Sequence, residues 1–174
     1  MTAVRRISIV GSASGNGKTT LGREVARRLD VPFVEVDALH HGPNWTEATA
    51  EELRARVEPL LAGDGWVVDG YYRGKLGDLI PGNADLVVWV DLSVRVWLPR
   101  LVRRTLRRIA TREELWNGNR ETMRNVFFSR DSLLLFSLRA HRRRRREYPA
   151  QLAAYRLVHL RTPEEVERWL ATFG

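Results

Sequence analysis

The chain has no cysteine, only two lysines and no long apolar run. Without cysteine there is no disulfide scaffold and no thiolate metal site, a composition that suits a reducing compartment, so the expected location is cytoplasmic. No apolar stretch approaches the roughly eighteen residues that a membrane-spanning helix needs, and no membrane partner is expected. Arg5-Arg6 followed by Ile7 to Val10 has a basic flank, but the apolar run is too short for a signal peptide and ends in a glycine-rich loop. What the chain does have is 174 residues with 44% apolar content. That is enough to bury a core without staples, and predicts one globular domain over residues 1–174.

Lys18 and Lys75 are the two lysines among 29 basic residues, against 21 acids, for a net charge of +8. Such a balance ordinarily suggests a polyanionic partner. The charge is unevenly placed. Residues 95–146 hold sixteen arginines and four acids, a net of +12, while the rest of the chain holds thirteen bases and seventeen acids, a net of −4.

Hydrophobic patterning predicts strands alternating with helices. Ile7–Val10 reads as a buried strand ending at Gly11, and Leu21, Val25 and Leu29 then recur at helical spacing. Phe33–Asp37 alternates apolar and acidic, as a second strand. Thr49 and Glu52 form a capping-box pattern ahead of Leu53, Val57, Leu60 and Leu61, with Pro59 expected to kink or shorten that helix. Trp66–Asp69 and Leu86–Val90 read as strands three and four. An Arg-rich helix is predicted over about 94–109, a break at Asn117-Gly118-Asn119, renewed helical spacing through Met123, Val126 and Phe127, and a continuation over Leu133–Leu138. Arg156–Leu160 is a fifth strand. Thr162, Pro163 and Glu165 then mark a helix start. The alternation implies an α/β three-layer sandwich with a five-stranded parallel sheet, whose ligands sit beyond the carboxyl ends of the strands. Gly11, Asp37, Asp69 and Asp91 all fall at such ends.

Between the first strand and its helix lies Gly11-Ser12-Ala13-Ser14-Gly15-Asn16-Gly17-Lys18-Thr19-Thr20. This resembles a Walker A phosphate loop. Glycines let backbone N–H groups turn onto phosphates, and the helix start adds a positive dipole. Gly15, Asn16, Gly17, Lys18, Thr19 and Thr20 are the expected ATP-binding residues, with Lys18 on the β- and γ-phosphates and the Thr19 hydroxyl on Mg²⁺. One position departs from the strict pattern: Ser12 stands where glycine is called for, with Gly11 one residue earlier. The chain lacks the Asn-Lys-x-Asp guanine motif and the Leu-Ser-Gly-Gly-Gln of transporter ATPases, and is too short for a RecA-type motor. The small kinases remain.

Asp37-Ala38-Leu39 with Trp45, the segment Trp66-Val67-Val68-Asp69-Gly70-Tyr71-Tyr72-Arg73, the Arg-rich stretch after the fourth strand, and Asn117-Gly118-Asn119-Arg120-Glu121 together resemble the adenylate-kinase-like P-loop kinases over the whole chain. The resemblance is greatest to the bacterial group labelled DNA topology modulation proteins. It implies an ATP- and Mg²⁺-dependent phosphotransferase of the nucleoside/nucleotide-kinase type, with a mobile Arg-rich lid over about 100–146. It also implies roles for individual residues. Asp37 faces the acceptor hydroxyl, as in sugar, shikimate and nucleoside kinases of this fold. Asp69 supports Mg²⁺ through water, and Arg73 matches a substrate-phosphate arginine. Arg100 stands where an arginine stacks on adenine, and Arg104 where one touches phosphates. Arg103, Arg107, Arg108, Arg112, Arg120 and Arg124 are further lid candidates, with Arg104, Arg112 and Arg120 taken as catalytic. Arg161-Thr162-Pro163 follows strand five, where this fold contacts adenine.

Some features are open to more than one reading. His40 and His41 make a poor metal site, and Trp45 either covers the following helix or stacks on the acceptor. The block Arg142–Arg146 lacks interleaved aromatics and has no catalytic role in the family. It sustains a second reading, an ATP-binding, nucleic-acid-associated regulator. A third, a nucleotide-binding protein with a degenerate site, draws only on Ser12. The favoured expectation is transfer of the γ-phosphate of ATP to a small hydroxyl- or phosphate-bearing acceptor.

Overall fold

A computed structural model describes residues 4–122 and 132–173. Five strands form one parallel sheet in the order β2-β3-β1-β4-β5: β1 (Arg6–Gly11), β2 (Phe33–Glu35), β3 (Trp66–Asp69), β4 (Leu86–Val90) and β5 (Leu157–Leu160). The helices are α1 (Lys18–Leu29), α2 (Val36–His40), α3 (Ala50–Val57), α4 (Arg73–Leu76), α5 (Leu79–Gly82), α6 (Val94–Ala110), α7 (Leu133–Gln151) and α8 (Pro163–Leu170). This is the α/β P-loop architecture the sequence predicts. Met123, Val126, Phe127 and Arg124 lie outside the described residues.

Alternation along the strands builds the layers. Ile7, Ile9, Val67, Val88 and Val90 point to one face, where they pack with Leu21 and Val25 of α1 and partly buried Trp169 of α8. Val68 and Trp66 meet Leu53, Val57, Leu76 and Ile80 on the other. Val10, Val87 and Trp89 extend that second layer to Tyr148 and Leu152 around the end of α7. A smaller cluster of Ala13, Trp97 and Leu101, joined by Leu133, Leu134 and Leu138, seats α6 and α7 on the phosphate loop.

Two helix starts follow the expected chemistry. The Thr49 hydroxyl accepts from the Glu52 backbone N–H while the Glu52 carboxylate accepts from that of Thr49, and Thr162 caps Glu165 with Pro163 at the first helical position. Three expectations need correcting. The second strand stops at Glu35, and Val36 begins a short helix, so Asp37 lies in a helical turn and not at a strand end. Strand five begins at Leu157, not Arg156. Leu60, placed by periodicity on the buried stripe, is 43% exposed, because α3 ends at Val57 and a 3₁₀ turn over Glu58–Leu61 containing Pro59 changes the angular spacing. α6, in contrast, runs straight through Pro99 to Ala110. No helix among the described residues is long and apolar enough to cross a membrane.

Leu53 is fully buried, so Leu53→Ala should lose about 2–5 kcal/mol of stability. Leu60→Ala should stay within about 0.5 kcal/mol of the parent. Denaturant melts of the two variants check the contrast, and a large loss for Leu60→Ala would contradict the exposed placement.

Candidate active site

The loop between β1 and α1 is held by its neighbours in the sheet. Asn16, only 2% exposed, donates from Nδ2 to the Val90 carbonyl (3.0 Å). Gly15 has φ +82°, and its Cα backs onto α6: a Cβ there would lie 2.9 Å from both the Trp97 carbonyl oxygen and the Leu101 Cβ. Gly11 leaves room for the Lys18 side chain, which folds back over it. Lys18 Nζ reaches Asp69 Oδ1 at 3.6 Å, and the Thr19 hydroxyl donates to Asp69 Oδ2 at 2.5 Å. Thr20 is exposed at the margin of the same cleft. The donors at this point, one hydroxyl and one carboxylate, fit Mg²⁺, a small hard cation that takes one or two protein oxygens and fills its shell with water and phosphate oxygens.

Ser12 is fully buried. Its hydroxyl donates to Asp91 Oδ1 (2.7 Å) and accepts from Trp89 Nε1 (2.9 Å). The departure from the strict loop pattern is therefore a hydrogen-bonded position in an intact loop.

Asp37 faces the same cleft from α2. Tyr72 donates its hydroxyl to Asp37 Oδ1 at 2.6 Å, and burial together with the Asp37 charge drives the phenol pKa far above its ordinary value. Glu35 stands in register with Asp69. Its carboxyl pKa is raised, first by burial and then by the Asp69 charge. His40 is buried, with Nε2 3.4 Å from Glu47, and its ring lies 4.6 Å from that of Tyr72. Trp45 sits beside His41 with ring centroids 5.5 Å apart. Arg73 is at the cleft margin, exposed and paired with Asp78 at 3.4 Å.

From the opposite wall, Arg100 and Arg104 of α6, one helical turn apart, both line the cleft. Arg104 is largely covered: burial, then the neighbouring Arg108, lowers its pKa, and its Nε is buried without a hydrogen-bond partner among the described residues. Arg107 and Arg108 also reach the cleft but are compensated by Glu113 at 3.3 Å, and Arg108 by Glu121 at 3.1 Å. Arg112 and Arg120 are not brought into the cleft. Both are exposed, Arg112 in the turn that ends α6 and Arg120 paired with Glu114 at 3.5 Å.

A loop clamp joins the segment after α6 to the segment after α2. Asn119, 4% exposed, donates from Nδ2 to the Gly42 carbonyl (2.9 Å) and accepts from the Trp45 N–H (2.9 Å). Asn117 donates to the His41 carbonyl (2.5 Å), and Trp116 stacks near-parallel to His41 at 5.9 Å. The sequence shows a helix break at Asn117-Gly118-Asn119 and a resemblance carried by Asn117 to Glu121; a short polar motif does not reveal which distant carbonyls it will meet. Glu35 and Tyr72 were likewise missed as site residues, although Glu35 belongs to the same alternating strand pattern that singled out Asp37.

The arginine block is also resolved. Arg145 Nε donates to Asp91 Oδ2 (3.1 Å), Arg144 donates to the Gly11 carbonyl (3.1 Å), Arg143 pairs with Glu147 (3.9 Å), and Arg146 donates to the Arg142 carbonyl (3.4 Å). Arg144 and Arg145 thus contact the phosphate loop and Asp91, while Arg142, Arg143, Arg145 and Arg146 remain exposed. A sequence signal existed: Arg145 falls between buried His141 and Tyr148 at helical spacing.

Comparisons with known proteins agree with this fold. Residues 9–62 match the model of the ATPase family associated with various cellular activities (AAA). The chain is 31% identical over 115 residues to a shikimate kinase of Sulfurihydrogenibium sp. (strain YO3AOP1), covering 56% of this chain and 67% of that protein. Among solved structures, the shikimate kinase from Bacteroides thetaiotaomicron superposes with TM-score 0.56 at 18% identity, covering 98% of this chain and 96% of that one. A gluconokinase from Sinorhizobium meliloti 1021 gives 0.55 at 23% identity, covering 97% and 91%.

Two outcomes follow from the contacts. Gly15→Ala combines a left-handed φ with a clash against α6 backbone, and should lose about 1–3 kcal/mol of stability while weakening nucleotide binding, read by thermal melts with and without ADP. Asn119→Ala breaks the clamp and should raise KM for the acceptor more than KM for ATP, by several-fold; steady-state kinetics with each substrate varied will show it.

Proposed function

The chain belongs to the family of small-molecule P-loop kinases that includes shikimate kinase, and on that premise we propose that it transfers the γ-phosphate of ATP to a hydroxyl of a small anionic acceptor held against Asp37. The observation that carries this is the Lys18–Asp69–Thr19 cluster, with contacts of 3.6 and 2.5 Å, facing Asp37 and Arg104 across one continuous cleft. Within the family we place the chain nearest the bacterial group called DNA topology modulation proteins, on the segments Trp66–Arg73 and Asn117–Glu121.

Phosphoryl transfer leaves little covalent work for the protein, so positioning and charge carry it. Backbone N–H groups from Gly15 to Lys18 at the start of α1 receive the phosphates, with Lys18 on the β- and γ-groups. Thr19, with Asp69 acting through water, would hold Mg²⁺, which would neutralise phosphate charge when bound. Arg100 lies over the nucleotide. Tyr72 engages one oxygen of Asp37, which leaves the other to accept the proton of the attacking hydroxyl. The acceptor oxygen forms the new bond to the γ-phosphorus, the bond from that phosphorus to the bridging oxygen of ADP breaks, and the acceptor proton passes to Asp37.

Arg104 supports the anionic acceptor. A largely covered guanidinium with an unpartnered Nε asks for an anion, which either the transferred phosphoryl group or an acidic group on the acceptor supplies. Arg73 contributes less, since Asp78 already compensates it. Shikimate and gluconate, the acceptors in the relatives' names, are the first compounds to try, followed by nucleoside monophosphates, with neutral nucleosides as the uncharged contrast.

An ATP-consumption assay over this panel, with Lys18→Ala as the blank, should give acceptor-dependent turnover for the parent alone. Asp37→Asn should lower kcat by about 10²-fold or more with KM for ATP little changed. Equal signals from parent and Lys18→Ala across the panel would refute the kinase reading, and an unimpaired Asp37→Asn would remove Asp37 from the chemistry.

A further inference from the structure

Beyond the phosphate contacts, the cleft rests on a second carboxylate. Asp91 follows β4 and is 2% exposed. Both its oxygens are engaged: Oδ1 accepts from Ser12 (2.7 Å), and Oδ2 from Arg145 Nε (3.1 Å) and His159 Nε2 (3.2 Å). Arg161 Nε donates to His159 Nδ1 (3.3 Å). That bond requires a lone pair on Nδ1, which places the proton on Nε2 and makes His159 a donor to Asp91. The His159 ring also stacks flat on Trp89, with centroids 3.8 Å apart and 2° between planes, and Trp89 donates to Ser12 from its indole nitrogen. Arg144, next to Arg145, donates to the Gly11 carbonyl at 3.1 Å.

The carboxylate thus ties together three segments far apart in the chain: the first turn of the phosphate loop, the helix α7 that returns from the lid, and the end of β5. We propose that Ser12, Asp91 and Arg145 form a positioning unit that holds the phosphate loop in register with α7, so that nucleotide affinity depends on the Ser12 hydroxyl. The inference rests on the cleft being the nucleotide site, since no residue of the unit need touch substrate. Its effect is indirect. Arg143, Arg144 and Tyr148 of α7 line the cleft, and the loop backbone must point its N–H groups at the phosphates with α7 closed against it.

The inference makes a counterintuitive demand. Ser12→Gly restores the strict Walker A pattern, yet removes a donor from buried Asp91 and an acceptor from Trp89, and frees the loop backbone. A pattern-based view expects improved or equal binding, whereas the positioning unit requires weaker binding.

The experiment is calorimetric titration of Mg²⁺·ADP into the full chain, at a temperature where every variant is folded by circular dichroism. The variants are Ser12→Gly, Arg145→Ala, the double variant, Lys18→Ala, and Thr49→Ala. Thr49→Ala loses a helix cap remote from the loop, and controls for a general fall in stability. Ser12→Gly should bind about tenfold more weakly and Arg145→Ala several-fold more weakly. The double variant should be within about twofold of the weaker single one, because either change dismantles the same unit. Thr49→Ala should bind like the parent. Parent-like affinity in Ser12→Gly while Lys18→Ala loses binding would overturn the positioning unit alone, as would losses that multiply in the double variant or an equal loss in Thr49→Ala. Undiminished binding by Lys18→Ala would instead overturn the nucleotide cleft beneath it.

Discussion

β1 is hydrogen-bonded on both sides, to β3 with Ile9 opposite Asp69 and to β4 with Gly11 opposite Val90. The phosphate loop and the two acids beside it inherit their places from that pairing. The phosphate loop leaves the sheet where two neighbouring strands also end, so the carboxylates that follow them arrive on either side of it. Asp69 comes from β3 and meets Lys18 and Thr19; Asp91 comes after β4 and meets Ser12. A one-residue slip in either ladder would turn these acids to the opposite face and put an apolar neighbour in their place.

This arrangement also explains the charge distribution. Counted along the chain, residues 95–146 are strongly basic and the rest mildly acidic. In the folded molecule Asp91 takes Arg145 and Glu147 takes Arg143 from outside the basic segment, whereas Glu113, Glu121 and Glu114, which take Arg107, Arg108 and Arg120, lie within it. Arg100 and Arg104 line the cleft with no ion pair among the described residues, and Arg104 is largely covered. Exposed pairs such as Arg120–Glu114 contribute little stability, whereas Asp91 is buried, and loss of one of its donors leaves a costly charge. The Arg142–Arg146 block is only partly compensated: Arg143 and Arg145 have acidic partners, and Arg142, Arg143, Arg145 and Arg146 stay exposed.

The strands, the phosphate loop, the cap at Thr49 and the start at Thr162 were legible because each depends on residues within a few positions of one another. Periodicity, glycine spacing and capping chemistry are local. The misreadings were also local in origin. Leu60 fits a 3.6-residue stripe that Pro59 interrupts, and Asp37 continues an alternation that the backbone abandons one residue earlier. Arg112 and Arg120 resemble the family's arginines by position in the chain, but whether they reach the cleft depends on how the segment after α6 folds back, and it leaves both exposed.

By itself, the sequence determined that this is a P-loop α/β protein, because a buried strand, a glycine-rich turn carrying Lys18 and Thr19, and an amphipathic helix can meet in only one local way. Only the tertiary structure decided what Ser12 bonds to, which cleft arginines have no ion pair among the described residues, and that Asn117 and Asn119 reach across to the segment after α2. Those facts depend on contacts between residues some 75 to 80 positions apart. No local pattern encodes such contacts, because they follow from strand order and from burial, which requires each polar group taken from water to find a partner wherever the fold brings one.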